Sequence, residues 1–277
     1  MLRSILVGVN GTRGSQAACE LAVSWAKSHQ IPVTAAGIVD VPAILAPEPV
    51  PLGAAAFKAE RDAEKLALAR KTIGSALEAM CQRAQAAGVE CRSVNLEGSP
   101  AELLGAESQR HDLVVLGRRE KPRSDRDPVA STTLTEILRH ACRPVVVAGH
   151  DPPRGSTIVV AYDGSAQSAR TLQAFVQSGL MFGHPLHLVG VGDHPQEMNA
   201  RLMRALDYLK THGRNAELHV LPVRGSVAAT LTQFVTQLPC GLLVMGVYGQ
   251  PRLKELLFGS VTMSLLESLP APLFLHH

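Results

Sequence analysis

The 277-residue chain repeats itself, and that repetition limits its fold more than any other feature. The run Ile5-Leu6-Val7-Gly8-Val9-Asn10-Gly11-Thr12 returns as Ile158-Val159-Val160-Ala161-Tyr162-Asp163-Gly164-Ser165, 153 positions on. Leu113-Val114-Val115-Leu116-Gly117 returns as Leu242-Leu243-Val244-Met245-Gly246, 129 positions on, and Pro144-Val145-Val146-Val147 returns as Pro272-Leu273-Phe274-Leu275. The offset shrinks because the first copy has a longer middle, made of a Pro-rich stretch over 41–51 and a helical segment over 54–87. Two copies of this length suit two domains, 1–150 and 154–277. The Pro- and Gly-punctuated segment His150-Asp151-Pro152-Pro153-Arg154-Gly155 divides them.

Within each copy, short apolar runs alternate with helix-length segments. The pattern predicts strands over 2–9, 33–39, 90–96, 112–117 and 144–149, then over 156–162, 185–191, 216–223, 241–246 and 271–276. Helices are predicted over Ser15–Ser28 and Ala166–Met181 among others. The runs are continuous in Val, Ile and Leu, as in parallel strands covered on both faces. Alternating βα units imply a doubly wound α/β sheet with right-handed crossovers. A ligand of such a sheet sits beyond the carboxyl ends of the strands, where strand order reverses.

Composition removes several classes of function. Hydrophobic residues make up 46% of the chain and charged residues 18%, which excludes a disordered chain. A net charge of +3, with neither copy strongly basic and only ten aromatic residues, argues against nucleic-acid binding. No uncharged apolar run approaches the ~20 residues of a membrane span, and the first residues do not read as a signal peptide. The five cysteines (Cys19, Cys81, Cys91, Cys142 and Cys240) lack a CxxC pair and read as reduced thiols of a cytoplasmic protein.

The second copy carries the most informative turn. Gly246-Val247-Tyr248-Gly249 follows a strand, and after nine residues Gly259-Ser260-Val261-Thr262 opens a helix. Gly246 and Gly249 permit positive φ and close backbone approach. Gly259 and Ser260 lie at a helix start, where unpaired N–H groups favour an anion, with Ser260 able to cap the helix. Arg252 and Lys254 add positive charge, and Asp163 is able to accept a hydrogen bond from a ribose hydroxyl. Taken singly, each of these is ordinary turn punctuation, and Asp163 alone suits a helix cap.

The spacing Gly246-x2-Gly249-x9-Gly259-Ser260, with Tyr162-Asp163-Gly164-Ser165 and Pro272, resembles the ATP-binding signature of the universal stress proteins, in two tandem copies over essentially the whole chain. The resemblance implies an adenine-nucleotide α-hydrolase-like fold, two five-stranded parallel sheets each in the order 3-2-1-4-5. It implies ATP, with or without Mg2+, between the first and fourth strands. Carried onto this chain, the nucleotide-binding residues are Ala161, Tyr162, Asp163 and Val191, with Met245, Gly246, Tyr248, Gly249, Gly259, Ser260, Val261 and Thr262. It further implies a stress-response regulator with a protein partner of unknown identity. The copies would pair as an intramolecular pseudo-dimer through their last strands, 144–149 and 271–276, with a homodimer of the whole chain also open.

The first copy departs from the pattern. It reads Gly117-Arg118-Arg119-Glu120, nine residues, then Ala130-Ser131-Thr132, with Asn10 in place of Asp163. A carboxylate at Glu120 and a Cβ at Ala130 oppose a polyphosphate, so the first copy is expected not to bind ATP. Its loop, with Arg118, Arg119, Lys121, Arg123 and Arg126 against Glu120, Asp125 and Asp127, reads as a solvated mixed-charge loop or as an anion or partner site.

Other candidates are weaker. His184, His187 and His194 lack a carboxylate or thiol to complete a ligand set, so no metal is expected. No nucleophile elbow and no Walker lysine is present. Asp163-Gly164-Ser165-x-x-Ser168 is similar to the phosphate loop of ATP pyrophosphatases but lacks its second glycine. The charged segment Lys58 to Lys71 reads as a solvated helix face. No residue is placed to activate water, so dedicated catalysis is not expected. A slow ATPase or an adenylating enzyme of the α-hydrolase kind is the alternative. His276 and His277 read equally as native residues or a tag remnant.

Overall fold

The computed structural model describes residues 1–49, 51, 54–118, 129–149, 153, 155–180, 182–247 and 259–276. The first copy runs β1 (Ile5–Val9), α1 (Arg13–His29), β2 (Val33–Val39), α2 (Val41–Ile44), α3 (Ala55–Ala86), β3 (Cys91–Glu97), α4 (Pro100–Ser108), β4 (Leu113–Gly117), α5 (Val129–His140) and β5 (Val145–Ala148). The second runs β6 (Thr157–Ala161), α6 (Ala166–Ser178), β7 (Leu186–Val191), α7 (Pro195–Thr211), β8 (Glu217–Leu221), α8 (Val227–Thr236), β9 (Cys240–Gly246), α9 (Ser260–Ser268) and β10 (Leu273–His276).

Local chemistry sets the helix limits. The Thr12 side chain accepts a hydrogen bond from the Ser15 N–H at the start of α1, and Ser165 accepts from the Ser168 N–H at the start of α6. The apolar periodicity predicts that α6 reaches Met181. It stops at Ser178 instead, because Gly179 takes a left-handed φ of 78° that no further helical turn can follow. In the long α3, Ile73, Leu77, Met80 and Ala84 form one buried stripe at helical spacing. Its charges are less solvated than expected. Asp62 is buried, paired with Lys58 one turn earlier and with Arg61, which also reaches Glu48.

Each copy has the strand order 3-2-1-4-5, with parallel pairing inside the copy. The two five-stranded sheets are one. β5 and β10 pair antiparallel, with Val147 opposite Leu273, Val146 opposite Phe274 and Val145 opposite Leu275, giving a ten-stranded sheet. The strands of one copy therefore run opposite to those of the other, and their carboxyl ends emerge at opposite rims. The edge strands β3 and β8 are only partly covered, whereas the residues of β5 are all buried.

The core has two layers. On one face, alternate strand residues such as Val7, Val115, Val160 and Phe274 pack under helices that include α1, α3, α6 and α7. On the other, Leu6, Val147, Val159 and Leu273 pack under α4, α5, α8 and α9. Each layer crosses the junction between copies. There the Phe175 ring of α6 meets Phe274 of β10 edge-on, centroids 5.6 Å apart. The Leu2 N–H donates to the Ser178 carbonyl at 3.0 Å, which ties the amino terminus to the second copy.

Candidate functional site

In the second copy, strand order reverses between β6 and β9, so the cleft to examine lies beyond their carboxyl ends. The chain leaves β6 through a tight turn. The Asp163 carboxylate accepts from the Ser165 N–H at 2.9 Å, and Gly164 takes a φ of 81°. Arg201, on α7, donates to the Asp163 backbone carbonyl at 3.1 Å. A Cβ on Gly164 would lie 2.7 Å from the Arg201 Cδ, so this glycine supplies both the turn and the room for the guanidinium. Arg201 was not foreseen from sequence. The signal was its place in the helix after β7, which puts it at the same rim.

Opposite this turn stands α9. Its N-cap is Gly259, at φ −62° and ψ 147°, with no side-chain cap. Ser260, expected as the cap, is instead the first helical residue. The first N–H groups of α9 thus lack a side-chain acceptor at the cap, and they carry the positive end of the helix dipole. Among the described residues, a Cβ built on Gly259 meets nothing within 4 Å. Gly246 is not among the described glycines with positive φ. Its missing Cβ serves packing, since the Gln167 backbone would lie 3.2 Å away. Tyr248, Gly249, Arg252 and Lys254 lie outside the described residues.

Between these walls, Ala161, Val191, Met245 and Val261 belong to one apolar cluster, with Met245 buried and the other three half-buried. They come from β6, β7, β9 and α9 and present an apolar patch at the carboxyl end of the sheet. Thr262 is buried. Tyr162 does not join the patch. Its ring packs on the opposite face, where burial and the neighbouring Asp163 raise its phenol pKa. Its backbone N–H donates to the Val189 carbonyl at 2.8 Å.

The first copy builds the same turn. Asn10 Oδ1 accepts from the Thr12 N–H at 3.2 Å and from the Thr12 hydroxyl at 2.7 Å, with Gly11 at φ 78°. The crossing behind the turn differs. A Cβ on Gly117 would lie 2.2 Å from the Gly14 backbone, about 1 Å closer than the matching approach at Gly246. Gly14 stands where the second copy has Gln167, so two backbones touch where a side chain otherwise intervenes. Ala130 and Ser131 lie inside α5, whereas Gly259 precedes α9. Glu120, Arg119, Lys121, Arg123 and Arg126 lie outside the described residues.

Arg118 is not a solvated loop residue as its neighbours in sequence suggest. It is 7% exposed, and its Nη1 donates to the Leu269 carbonyl at the end of α9. That contact joins the copies and suits the negative end of a helix dipole. Its Nε and Nη2 have no partner among the described residues, and burial lowers its pKa.

The three histidines weighed from sequence do not converge. His184 precedes β7, His187 lies near its amino end, and His194 is the N-cap of α7. All five cysteines are free, and burial pushes the Cys19 and Cys240 thiols up to about 11, away from thiolate chemistry. A cavity of about 390 Å3 lies elsewhere, between α1 and the amino ends of β6 and β9, with Trp25, Leu180 and His184 among its walls. Its carboxylate, Glu20, is already paired with Arg83. The β6–β9 cleft remains the candidate, because it combines a polar turn, an apolar patch and an uncapped helix start. No helix among the described residues is long and apolar enough to cross a membrane.

Two fused doubly wound copies, each with its own switch point in strand order, define the class. The chain belongs to the universal stress protein family, whose model matches residues 1–149 and again 156–277. A universal stress protein from Synechocystis sp. is 28% identical over 163 residues, which cover 58% of this chain and 56% of that protein. The match thus spans about half the length of that relative. Among solved structures, a universal stress protein from Archaeoglobus fulgidus DSM 4304 superposes with a TM-score of 0.70 at 16% identity, covering 98% of this chain and 97% of that one. One from Pseudomonas aeruginosa UCBPP-PA14 gives 0.64 at 16% identity over 99% and 92%. At such identities the likeness concerns the fold.

Proposed function

We propose that this chain is an ATP-binding stress-response regulator that holds one nucleotide, in the cleft of the second copy between β6 and β9. The observation that carries the reading is the start of α9. The Gly259 backbone, with room for a Cβ among the described residues, sits beside N–H groups that no side chain caps, across from the Asp163 turn. The donor chemistry fits a triphosphate at α9, with backbone N–H groups and the Ser260 hydroxyl facing it. It fits a ribose at Asp163, and an adenine on the patch of Ala161, Val191, Met245 and Val261. Tyr248 and Gly249 complete the phosphate loop in this reading. Tyr162 contributes backbone only.

The first copy is degenerate in this reading. The close Gly14–Gly117 crossing, the placement of Ala130 inside α5, and the Glu120 carboxylate all oppose a polyphosphate there. Asp163 already accepts an N–H, so Mg2+ would be held chiefly by the phosphates. In this reading the chain acts by presenting a nucleotide-dependent surface to a partner, in the cytoplasm, and not by turnover.

Isothermal titration of the full chain with ATP tests this. The expected result is one equivalent bound per chain, with ATP recovered unchanged. Two equivalents would overturn the asymmetry, and rapid release of AMP and pyrophosphate would favour the adenylating enzyme.

A further inference from the structure

Near the amino ends of β7 and β8, at the opposite end of these strands from the nucleotide cleft, a second group of polar side chains meets. His187 Nδ1 and His219 Nε2 stand 2.8 Å apart, in hydrogen-bond contact, with their rings stacked 5.0 Å centroid to centroid. Glu217 lies beside both. One carboxylate oxygen is 3.7 Å from His187 Nδ1 and the other 3.5 Å from His219 Nε2. The sheet register explains the meeting. Glu217 is the direct partner of His187 across the parallel pair, and His219, two residues on, points to the same face. Phe234 of α8 walls the group, its ring 4.8 Å from that of His219 and 6.3 Å from that of His187.

We propose that His187, Glu217 and His219 form a binding site for a divalent transition-metal ion of the zinc class. The three ligand atoms lie within 4.8 Å of one another. A tetrahedral ion with bonds of about 2.1 Å keeps its donors about 3.4 Å apart; the two ring nitrogens here are 2.8 Å apart, and one Glu217 oxygen lies 3.7 Å from the first and the other 3.5 Å from the second. Two imidazole nitrogens and one carboxylate suit zinc better than calcium or magnesium, which take mainly oxygen donors. The ion would replace the proton shared by the two rings. Both imidazoles are half-buried and Glu217 is largely exposed, so the fourth position faces water. Burial, the largest influence on His219, lowers its pKa and so favours the neutral ring that binds metal. The ion would also pin β8, an edge strand, to β7.

The four residue steps from His187 to Val191 span about 13 Å of strand, so this site is separate from the nucleotide cleft and does not depend on it. The test uses the full chain without added histidines, stripped by chelator and dialysed against zinc chloride in the absence of nucleotide. One zinc per chain is expected at about micromolar free zinc, with a matching visible band when cobalt is substituted. His219→Ala and the exposed Glu217→Gln should each weaken binding at least about tenfold, since each removes a ligand. His184→Ala and His194→Ala should leave it unchanged. Zinc binding of equal stoichiometry and affinity in the His219→Ala and Glu217→Gln proteins would overturn the site. So would a wild-type chain that retains no zinc, leaving a hydrogen-bonded imidazole pair only.

Discussion

Replacing Gly259 by Ala separates the needs of the fold from the needs of a ligand. The residue sits at φ −62° and ψ 147°, where any L-residue fits, and a Cβ there meets nothing within 4 Å among the described residues. Less freedom in the unfolded chain favours Ala by about 0.4–1 kcal/mol. The weaker N-cap preference of Ala offsets this by a similar amount, about 0.5–1 kcal/mol. The net change in stability should be under about 1 kcal/mol, a shift in Tm of no more than about 3 °C for a chain of this size. A bound phosphate would meet the new methyl directly. Overpacking at such a contact costs about 1–3 kcal/mol, or roughly 5- to 150-fold in affinity. Thermal melting of the free protein and calorimetric titration with ATP read the two quantities separately. An unchanged Tm with an ATP Kd within about twofold of wild type would refute the placement of phosphate at α9.

Two further outcomes follow from charged side chains. Arg118→Ala leaves the Leu269 carbonyl without its donor and should cost about 1–3 kcal/mol, whereas Arg118→Met fills the space and removes two unpartnered nitrogens, so it should cost less; denaturant titration compares them. The Lys58 ammonium beside Asp62 holds its carboxyl below the usual carboxylate range, and Arg70 does the same for Glu97. Both groups therefore contribute stability that is present above their unfolded pKa values of about 3.9 and 4.3 and is lost as pH falls through the lower folded values. Melting curves taken downward from about pH 5 should show a shallower loss for Asp62→Asn than for wild type, and parallel curves would count against the pairing.

The strands were legible because each is a continuous Val/Ile/Leu run closed by a turn. The structure moves their ends by three residues at most, as at Ile5. The repeat itself pointed to the pairing of last strands, since Val145–Val147 and Leu273–Leu275 are too apolar to stand at an edge. What stayed hidden depends on partners far away in sequence. Arg118 reads as loop charge until the Leu269 carbonyl, from the other copy, accepts its hydrogen bond. Asp62 reads as surface until Lys58 and Arg61 close over it. Ser260 reads as a cap because its hydroxyl suits one, yet the helix begins at Ser260 itself. His219 and Glu217 are unremarkable in a row of residues and acquire chemical meaning only when sheet register sets them beside His187.

The antiparallel seam between β5 and β10 has an evolutionary corollary. In a pair of identical chains joined edge to edge, every substitution is stamped on both partners, and whatever one pocket loses the other loses too. Fusing the halves into a single polypeptide lifts that bond of likeness. Each half can drift alone while both keep the shared interior, and because the seam turns their mouths to opposite ends, two unlike visitors need never crowd one another.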